Sequence, residues 1–545
     1  MKIKNIYFLG LFTISLLIYQ SAIFRIQYDE FDTTVYYVLL ESLITLGKPL
    51  IPIVTGALQV ICDSELYCGF NHPAIFGQQL FTQLPSEYTS GITLLFIPYC
   101  LNKLINIFYD VNLSLFYFIQ IYCLGASLLY LCTSYLLIKY SKIDKFDIVI
   151  FLCISFISQM FILEYGTRGI VGEFYSSLLI SNVVIIVILQ TNNSIKLYYL
   201  CALFLGIAIE AKISIFPVAS VVFFIILLRA YLKDKNIKEV FILALLFCTP
   251  KIAAIIYYFV AHDYSVGNLF LYFKSIKDVY VHNANSGLNW GDSSITKQLR
   301  LIFSDLNTNI KLIYYLGVVC IVISIIDYII NKKLLYNLVL IFIIIAASLI
   351  YPLTFKFPYP RIYTPFLAVF PLLFLPFITR SSQIINYPYK KIIILIFLSY
   401  LTLIAYRSSP FKSNFLDLNK ALKFESFNTA YPNFFPSPTS IFVTSGFFQM
   451  PWDIYLLGIL EKQRPFDLNP IYSNYSISKI DNDLDNIYFI ETCRWGHCHK
   501  DKTILKSIIF NKSNKGDFEC TIIPPEKISI YHLYKCDVIR GTSKI

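Results

Sequence analysis

The sequence predicts an α-helical polytopic membrane protein of about eleven transmembrane helices, followed by a C-terminal exported α/β domain of roughly 140 residues. Three observations predict this class: an apolar composition, a series of long apolar runs, and basic clusters that alternate between those runs. Of 545 residues, 57% are hydrophobic and 14% charged, and the mean hydropathy is +0.63. Soluble domains carry about 25% charged residues, so this chain has too little polar surface to cover itself in water.

Taken in order, the apolar runs predict helices at 6–24, 114–138, 148–163, 174–190, 197–211, 213–230, 239–261, 311–330, 334–350, 364–379 and 391–406. A hydrocarbon core about 30 Å thick needs about 20 apolar residues to cross it, and several runs approach or reach that length. The first run follows Lys2 and Lys4. It is long for a secretory signal and has no clear small-x-small cleavage site, so it is expected to stay as the first helix.

The net charge of +11 is scattered over short connections and forms no basic stripe, which points to membrane topology rather than nucleic acid. Lys2/Lys4, Lys139/Lys142/Lys145, Lys196, Arg229/Lys233/Lys235/Lys238, Lys332/Lys333 and Arg380/Lys390/Lys391 all fall on one side. By the positive-inside rule that side, with the N-terminus, is cytoplasmic.

The opposite side then receives the long segments 25–113 and 262–310, the loop 351–363 and everything from 407 onward. This divides the chain into a transmembrane domain, 1–406, and a soluble exported domain, 407–545. The stretch 91–108 is apolar, but Pro98, Asn102, Lys103 and Asn106 interrupt it, and crossing there would invert every later cluster. It is expected to lie on the membrane surface as an interfacial helix.

The tail opens with Pro432, Pro436 and Pro438 and contains strand-like runs at 441–443 and 487–490. Cys62 and Cys68 fall in the first exported segment, and Cys493, Cys498, Cys520 and Cys536 in the tail. Even numbers on the exported side make these six the disulfide candidates, with connectivity open. Cys493 and Cys498 with His497 and His499 also fit a metal site, the less favoured reading.

Five groups look chemical. Asp29, Glu30 and Asp32 lie where the first helix leaves the membrane, although acids at a helix terminus are often merely solvated. Asn71-His72-Pro73 lies in the same exported segment. Arg168 and Glu173 fall in the turn between two apolar helices. Glu210-Ala211-Lys212 ends another helix, and Lys356, Arg361 and Tyr363 lie in the loop before the run at 364. Exported cations run against the positive-inside bias. A phosphate-bearing lipid headgroup would account for them through charge-assisted hydrogen bonds, and snorkelling at the interface is the plainer alternative.

In this order the motifs resemble the membrane-embedded GT-C glycosyltransferases that use polyprenyl-phosphate sugars, in the protein mannosyltransferase and lipid A aminoarabinose transferase branch. Asp29-Glu30 resembles the family's Asp-Glu pair, and Asn71-His72-Pro73 its His-Pro-Pro or Glu-Lys-Pro element. Gly166-Thr167 with Glu173-Phe174 is similar to its second-acid loop. Gly206 through Lys212 is similar to its Gly-rich helix ending in Thr-Lys-Gly, and Lys356 through Tyr363 to its Lys-x-Pro-x-Tyr loop. The resemblance covers residues 1–380. Departures are Ala74 for the second proline, Ala211 for the usual Thr, and Asn71 where the aminoarabinose branch has a metal-binding carboxylate.

The resemblance implies a hexosyl- or pentosyl-transferase with an inverting mechanism. Asp29 would be the general base, with Glu30 and Glu173 as further catalytic acids, and Arg168, Lys212, Lys356, Arg361 and Tyr363 would hold the donor phosphate. A divalent metal ion is the one cofactor it brings into question, with His72 and His282 as ligands. The expected partners are a polyprenyl-phosphate sugar donor, a lipid, glycan or protein acceptor, and membrane lipids. The expected location is a bacterial inner membrane with the tail in the periplasm. The rival reading is a polytopic transporter or lipid flippase, which would place its charges near the bilayer midplane.

Overall fold

The computed structural model describes residues 40, 43–44, 51–53, 74–76, 79–82, 95–109, 115–141, 172–189, 194–234, 236–261, 315, 317–323, 325–326, 329, 335–355, 364–375, 431, 440–445, 486–492, 517–524, 526 and 531–539. They are mostly helical. The expected helices 6–24, 148–163 and 391–406 lie outside the described residues.

The chain divides into two compact units, residues 1–27 with 86–415 and residues 28–85 with 416–545. In the first unit the helices are α1 Phe96–Asn106, α2 Leu115–Ser141, α3 Gly172–Leu189, α4 Ile195–Ala211, α5 Phe216–Asp234, α6 Ile237–Ala261, α7 Leu335–Phe355 and α8 Thr364–Val369. Within the run 311–330, residues 315, 317–323, 325–326 and 329 are helical. Two stretches, Ile213–Lys233 and Ile237–Tyr257, are long and apolar enough to cross a membrane. With 21 residues each, they reach about 30 Å at a rise of about 1.5 Å per residue.

Helix α1 has 11 residues, about 16 Å, too short to cross alone. It buries Pro98 and Asn102, exposes Lys103 and Leu104, and packs on α2. Gly125 of α2 makes room for that contact and for α3, because a Cβ there would stand 2.9 Å from both Ile97 Cγ2 and Tyr175 Oη.

Helix α3 is central. Every residue from 175 to 188 is buried, and α2, α4, α5, α7 and α8 pack around it. Its buried side chains include Ser176, Ser177, Ser181 and Asn182. Tyr175 donates to the Tyr122 carbonyl at 2.9 Å, and Asn182 Nδ2 donates to Thr133 Oγ1 at 3.0 Å and Ser134 Oγ at 3.2 Å, so α2 and α3 are joined by hydrogen bonds.

Large apolar groups also lie on the outside. Phe224 and Leu228 of α5, Phe241, Leu245, Ile252 and Ile256 of α6, and Phe342, Ile343 and Ile350 of α7 are exposed. Large apolar groups outside as well as inside depart from the usual surface of a water-soluble bundle.

Two cross-links hold one end of the bundle. Arg229 near the end of α5 donates to the carbonyl of Val187 near the end of α3, and Tyr199 of α4 donates to Glu239 of α6. The exposed Lys139, Lys196, Lys233 and Lys238 belong to the same helix ends. Helices α4 and α6 therefore run in the same direction and lie in close contact. At Gly206 a Cβ would run into the Phe247 carbonyl oxygen and stand 3.1 Å from Pro250 Cδ.

Proline explains two departures from the expected helix bounds. Instead of beginning at 213, the next α-helix is preceded by a 3-10 turn, Ile213–Ile215, and α5 starts at Phe216 with Pro217 in its first turn. There a missing N–H costs nothing. The run 364–379 is α-helical only to Val369 and continues as a 3-10 helix, Phe370–Phe374. Pro371 cannot donate to the carbonyl of Leu367, which ends the α-type ladder.

The second unit contains two sheets. The strands β1 Ile51–Ile53, β2 Ala74–Phe76 and β3 Gln79–Thr82 form an antiparallel sheet in the order β1-β3-β2. The strands β4 Ser440–Ser445, β5 Asn486–Thr492, β6 Asp517–Ile523 and β7 Tyr531–Ile539 form a mixed sheet in the order β4-β5-β7-β6. Strands β4 and β5 are parallel, while β5–β7 and β6–β7 are antiparallel. Tyr431 is buried against this sheet, its hydroxyl accepting the Leu533 N–H at 3.3 Å.

Candidate functional site

The end of the bundle opposite the Arg229–Val187 link is built from helix termini. Helix α3 begins there with Gly172 and Glu173, α4 ends there at Ala211, α5 begins there, and α7 ends there at Phe355. The 3-10 turn Ile213–Ile215 packs against α3, α4, α5 and α7, and α8 packs against α3 and α7. The first turn of α3, the α4–α5 junction and the start of α8 thus belong to one packed set of elements. Glu173 stands in the first turn of α3.

Lys212 occupies the junction. Its backbone is extended, with φ −159° and ψ 123°, and it is at once the last cap of α4 and the first cap of the 3-10 turn. Its N–H donates to the Ala208 carbonyl at 3.1 Å, and its own carbonyl accepts the Ile215 N–H at 3.2 Å. Both neighbouring elements therefore fix this residue, and its side chain is half-buried.

Two residues earlier, Glu210 is fully buried. Lys251, half-buried on the facing helix α6, lies at the same level. The pair follows from the close helix approach, because Gly206 and Glu210 are four apart on α4, as are Phe247 and Lys251 on α6. Residues four apart share a helix face. Sequence reading singled out Glu210 and Lys212 but missed Lys251. The signal was present: a lone lysine inside the apolar run 239–261, where an ionisable group needs a partner.

Of the remaining sequence-predicted residues, Asp29, Glu30, His72, Arg168, His282, Lys356, Arg361, Tyr363, Cys62, Cys68, Cys493 and Cys498 lie outside the described residues. The connections of three of them to described elements are clear. His72 is two residues before β2, Arg168 four before α3, and Tyr363 immediately precedes α8. Among the described residues no group of three or more His, Cys, Asp or Glu is placed to hold a metal ion.

The buried interior offers further polar groups. Ser177 Oγ and Ser181 Oγ of α3 have no hydrogen-bond partner among the described residues. Chemically, the opposite end of the bundle thus offers Lys212 on a fixed backbone, a buried acid at Glu210 level with the half-buried Lys251, and the start of α3. No protein-family model matches this chain, and no curated protein matches it.

Proposed function

We propose that the protein is a membrane glycosyltransferase of the GT-C type, moving a sugar from a polyprenyl-phosphate donor to an acceptor hydroxyl on the exported face. The observation that carries this reading is that α3 packs against both the turn that follows Lys212 and α8. These elements bear, or directly follow, three of the motifs that resemble the family. The exposed apolar faces of α5, α6 and α7 support a lipid setting. The lysines at the other end of the bundle support a cytoplasmic side there, leaving the Lys212 end in the periplasm of a bacterial inner membrane.

In this scheme Asp29 removes the proton of the acceptor hydroxyl. The acceptor oxygen attacks C1 of the sugar from the face opposite the phosphate, and the C1–O bond breaks with its electron pair leaving on the polyprenyl phosphate. A base within hydrogen-bond reach contributes about 10²–10⁴-fold. Lys212, with Arg168, Lys356 and Arg361, stabilises the charge that grows on the phosphate, and Tyr363 hydrogen-bonds to it. Glu30 and Glu173 orient the acceptor. The tail from 407 onward serves as an exported domain.

The test is transfer of radiolabelled sugar from a panel of polyprenyl-phosphate sugars, in membranes holding the wild type or Asp29→Asn. Transfer that disappears in the variant supports the class and identifies the donor. Full activity of Asp29→Asn removes Asp29 from the role of base. The buried Glu210, level with Lys251 on the facing helix, favours the second reading, a transporter or flippase, since such proteins keep ionisable groups within the helix bundle. Folded protein that transfers no sugar from any donor would select that reading.

A further inference from the structure

We propose that Cys520 and Cys536 form a disulfide that clasps the edge strand β6 to β7. The register of the antiparallel pair runs from Asp517 opposite Ile539 to Ile523 opposite Leu533, and Cys520 stands directly opposite Cys536, with three residue pairs on either side. Directly opposed residues in such a ladder have Cα atoms about 4.5 or 5.5 Å apart, depending on the type of pair. Both spacings fall within the window of about 4.4–6.8 Å that a disulfide spans.

The position in the sheet gives the bond a purpose. In the order β4-β5-β7-β6, strand β6 is hydrogen-bonded to β7 alone among the described strands. An edge strand held from one side is the one most prone to fray or slip, and a one-residue slip would carry every side chain to the other face. A covalent bond at the centre of the ladder fixes both pairing and register.

The same topology selects this connectivity among the tail cysteines. Ile487 of β5 stands opposite Cys536, and Thr492 is five residues further along β5, about 17 Å away along the strand. Cys493 follows Thr492, so the described strand carries the chain away from Cys536 before Cys493 is reached. Strand β5 is not a neighbour of β6. Cys520 therefore has Cys536 as its register partner.

Formation needs an oxidant, which we identify by class as the catalytic disulfide of an extracytoplasmic thiol oxidase. The thiolate of one cysteine attacks that disulfide to give a mixed disulfide, and the second thiolate displaces the oxidase sulfur. One S–S bond forms, two electrons pass to the oxidase, and it leaves as a dithiol with the two protons. An oxidised pair in cells marks the compartment of the tail as oxidising.

The experiment uses the full chain in its native membranes, denatured in N-ethylmaleimide to block free thiols, digested without reduction and read by mass spectrometry. The expected result is a Cys520 peptide joined to a Cys536 peptide, a species that vanishes on reduction. Maleimide on both cysteines, or either one joined to Cys493 or Cys498, would overturn the proposal. Thiol counting gives a second reading that survives poor folding of a variant. Cys520→Ser should show one more free thiol than the wild type, whereas an unbonded pair would show one fewer. Both readouts are independent of sugar transfer, so a joined pair in an inactive protein leaves this proposal standing while the transferase reading falls.

Discussion

Glu210 of α4 and Lys251 of α6 lie one helical turn beyond the point where Gly206 meets the Phe247 carbonyl, and that close approach sets the buried acid level with a half-buried lysine on the facing helix. The two helices run in the same direction, so equal steps of four residues carry both chains to the same level. A packing event thus determines an electrostatic one.

The first prediction concerns the approach itself. Gly206→Ala should destabilise the protein by about 1–3 kcal/mol, because the new methyl meets backbone that no rotamer change can move. Gly206→Leu should cost more. Thermal unfolding of the detergent-solubilised protein measures both, and an unchanged midpoint for Gly206→Leu would show that α4 and α6 are further apart.

The second concerns the pair. Lys251→Met leaves the Glu210 carboxylate buried without its cation and should cost about 3 kcal/mol or more. Replacing both, as Glu210→Leu with Lys251→Met, should cost less than the sum of the single changes. A double-mutant cycle gives the coupling directly, and additive losses would mean that the two groups do not interact.

A smaller effect is expected at the α2–α3 seam. Asn182→Leu keeps the volume but removes the donors to Thr133 and Ser134. Hydrogen bonds between helices in a membrane average about 0.6 kcal/mol each. Loss of roughly 1 kcal/mol in an unfolding titration is the expected outcome, and a loss several times larger would give this seam a greater role than its two bonds.

On the proposed transferase reading, Lys212→Ala should raise KM for a polyprenyl-phosphate donor by about 10-fold or more, the loss of a charge-assisted hydrogen bond. Lys212→Arg should restore much of it. Initial rates over a range of donor concentrations separate this from a folding defect, since a fall in both variants alike would point to the helix junction rather than the charge.

The tail sheet should lose stability at high pH. Burial raises the Tyr431 phenol above the usual tyrosine value, and the bond from Leu533 N–H offsets only part of that. A group whose folded-state pKa is raised contributes stability that is present below the unfolded value, about 10, and lost as pH rises through the folded one. Wild type and Tyr431→Phe should therefore differ in their slope of thermal stability against pH above about 10. Parallel slopes would remove Tyr431 as a contributor.

Much of the helical content was legible in the sequence because apolar runs and prolines act locally. The runs 114–138, 174–190 and 197–211 closely match Leu115–Ser141, Gly172–Leu189 and Ile195–Ala211. The strand-like runs 441–443 and 487–490 lie inside Ser440–Ser445 and Asn486–Thr492 for the same reason. The sequence by itself also determined the membrane-like composition, since that is a sum over single residues.

Only the tertiary structure decided which helices meet and which residues stand opposite one another. Lys251 passed unmarked in an apolar run, and only the approach of α4 onto α6 at Gly206 set it level with Glu210. Cys520 and Cys536 were two of several tail cysteines until the register of β6 on β7 set them face to face. Residues 41 and 16 positions apart in the chain carry no local mark of their contact. Their proximity comes from backbone approach and strand register, which are properties of packing between elements.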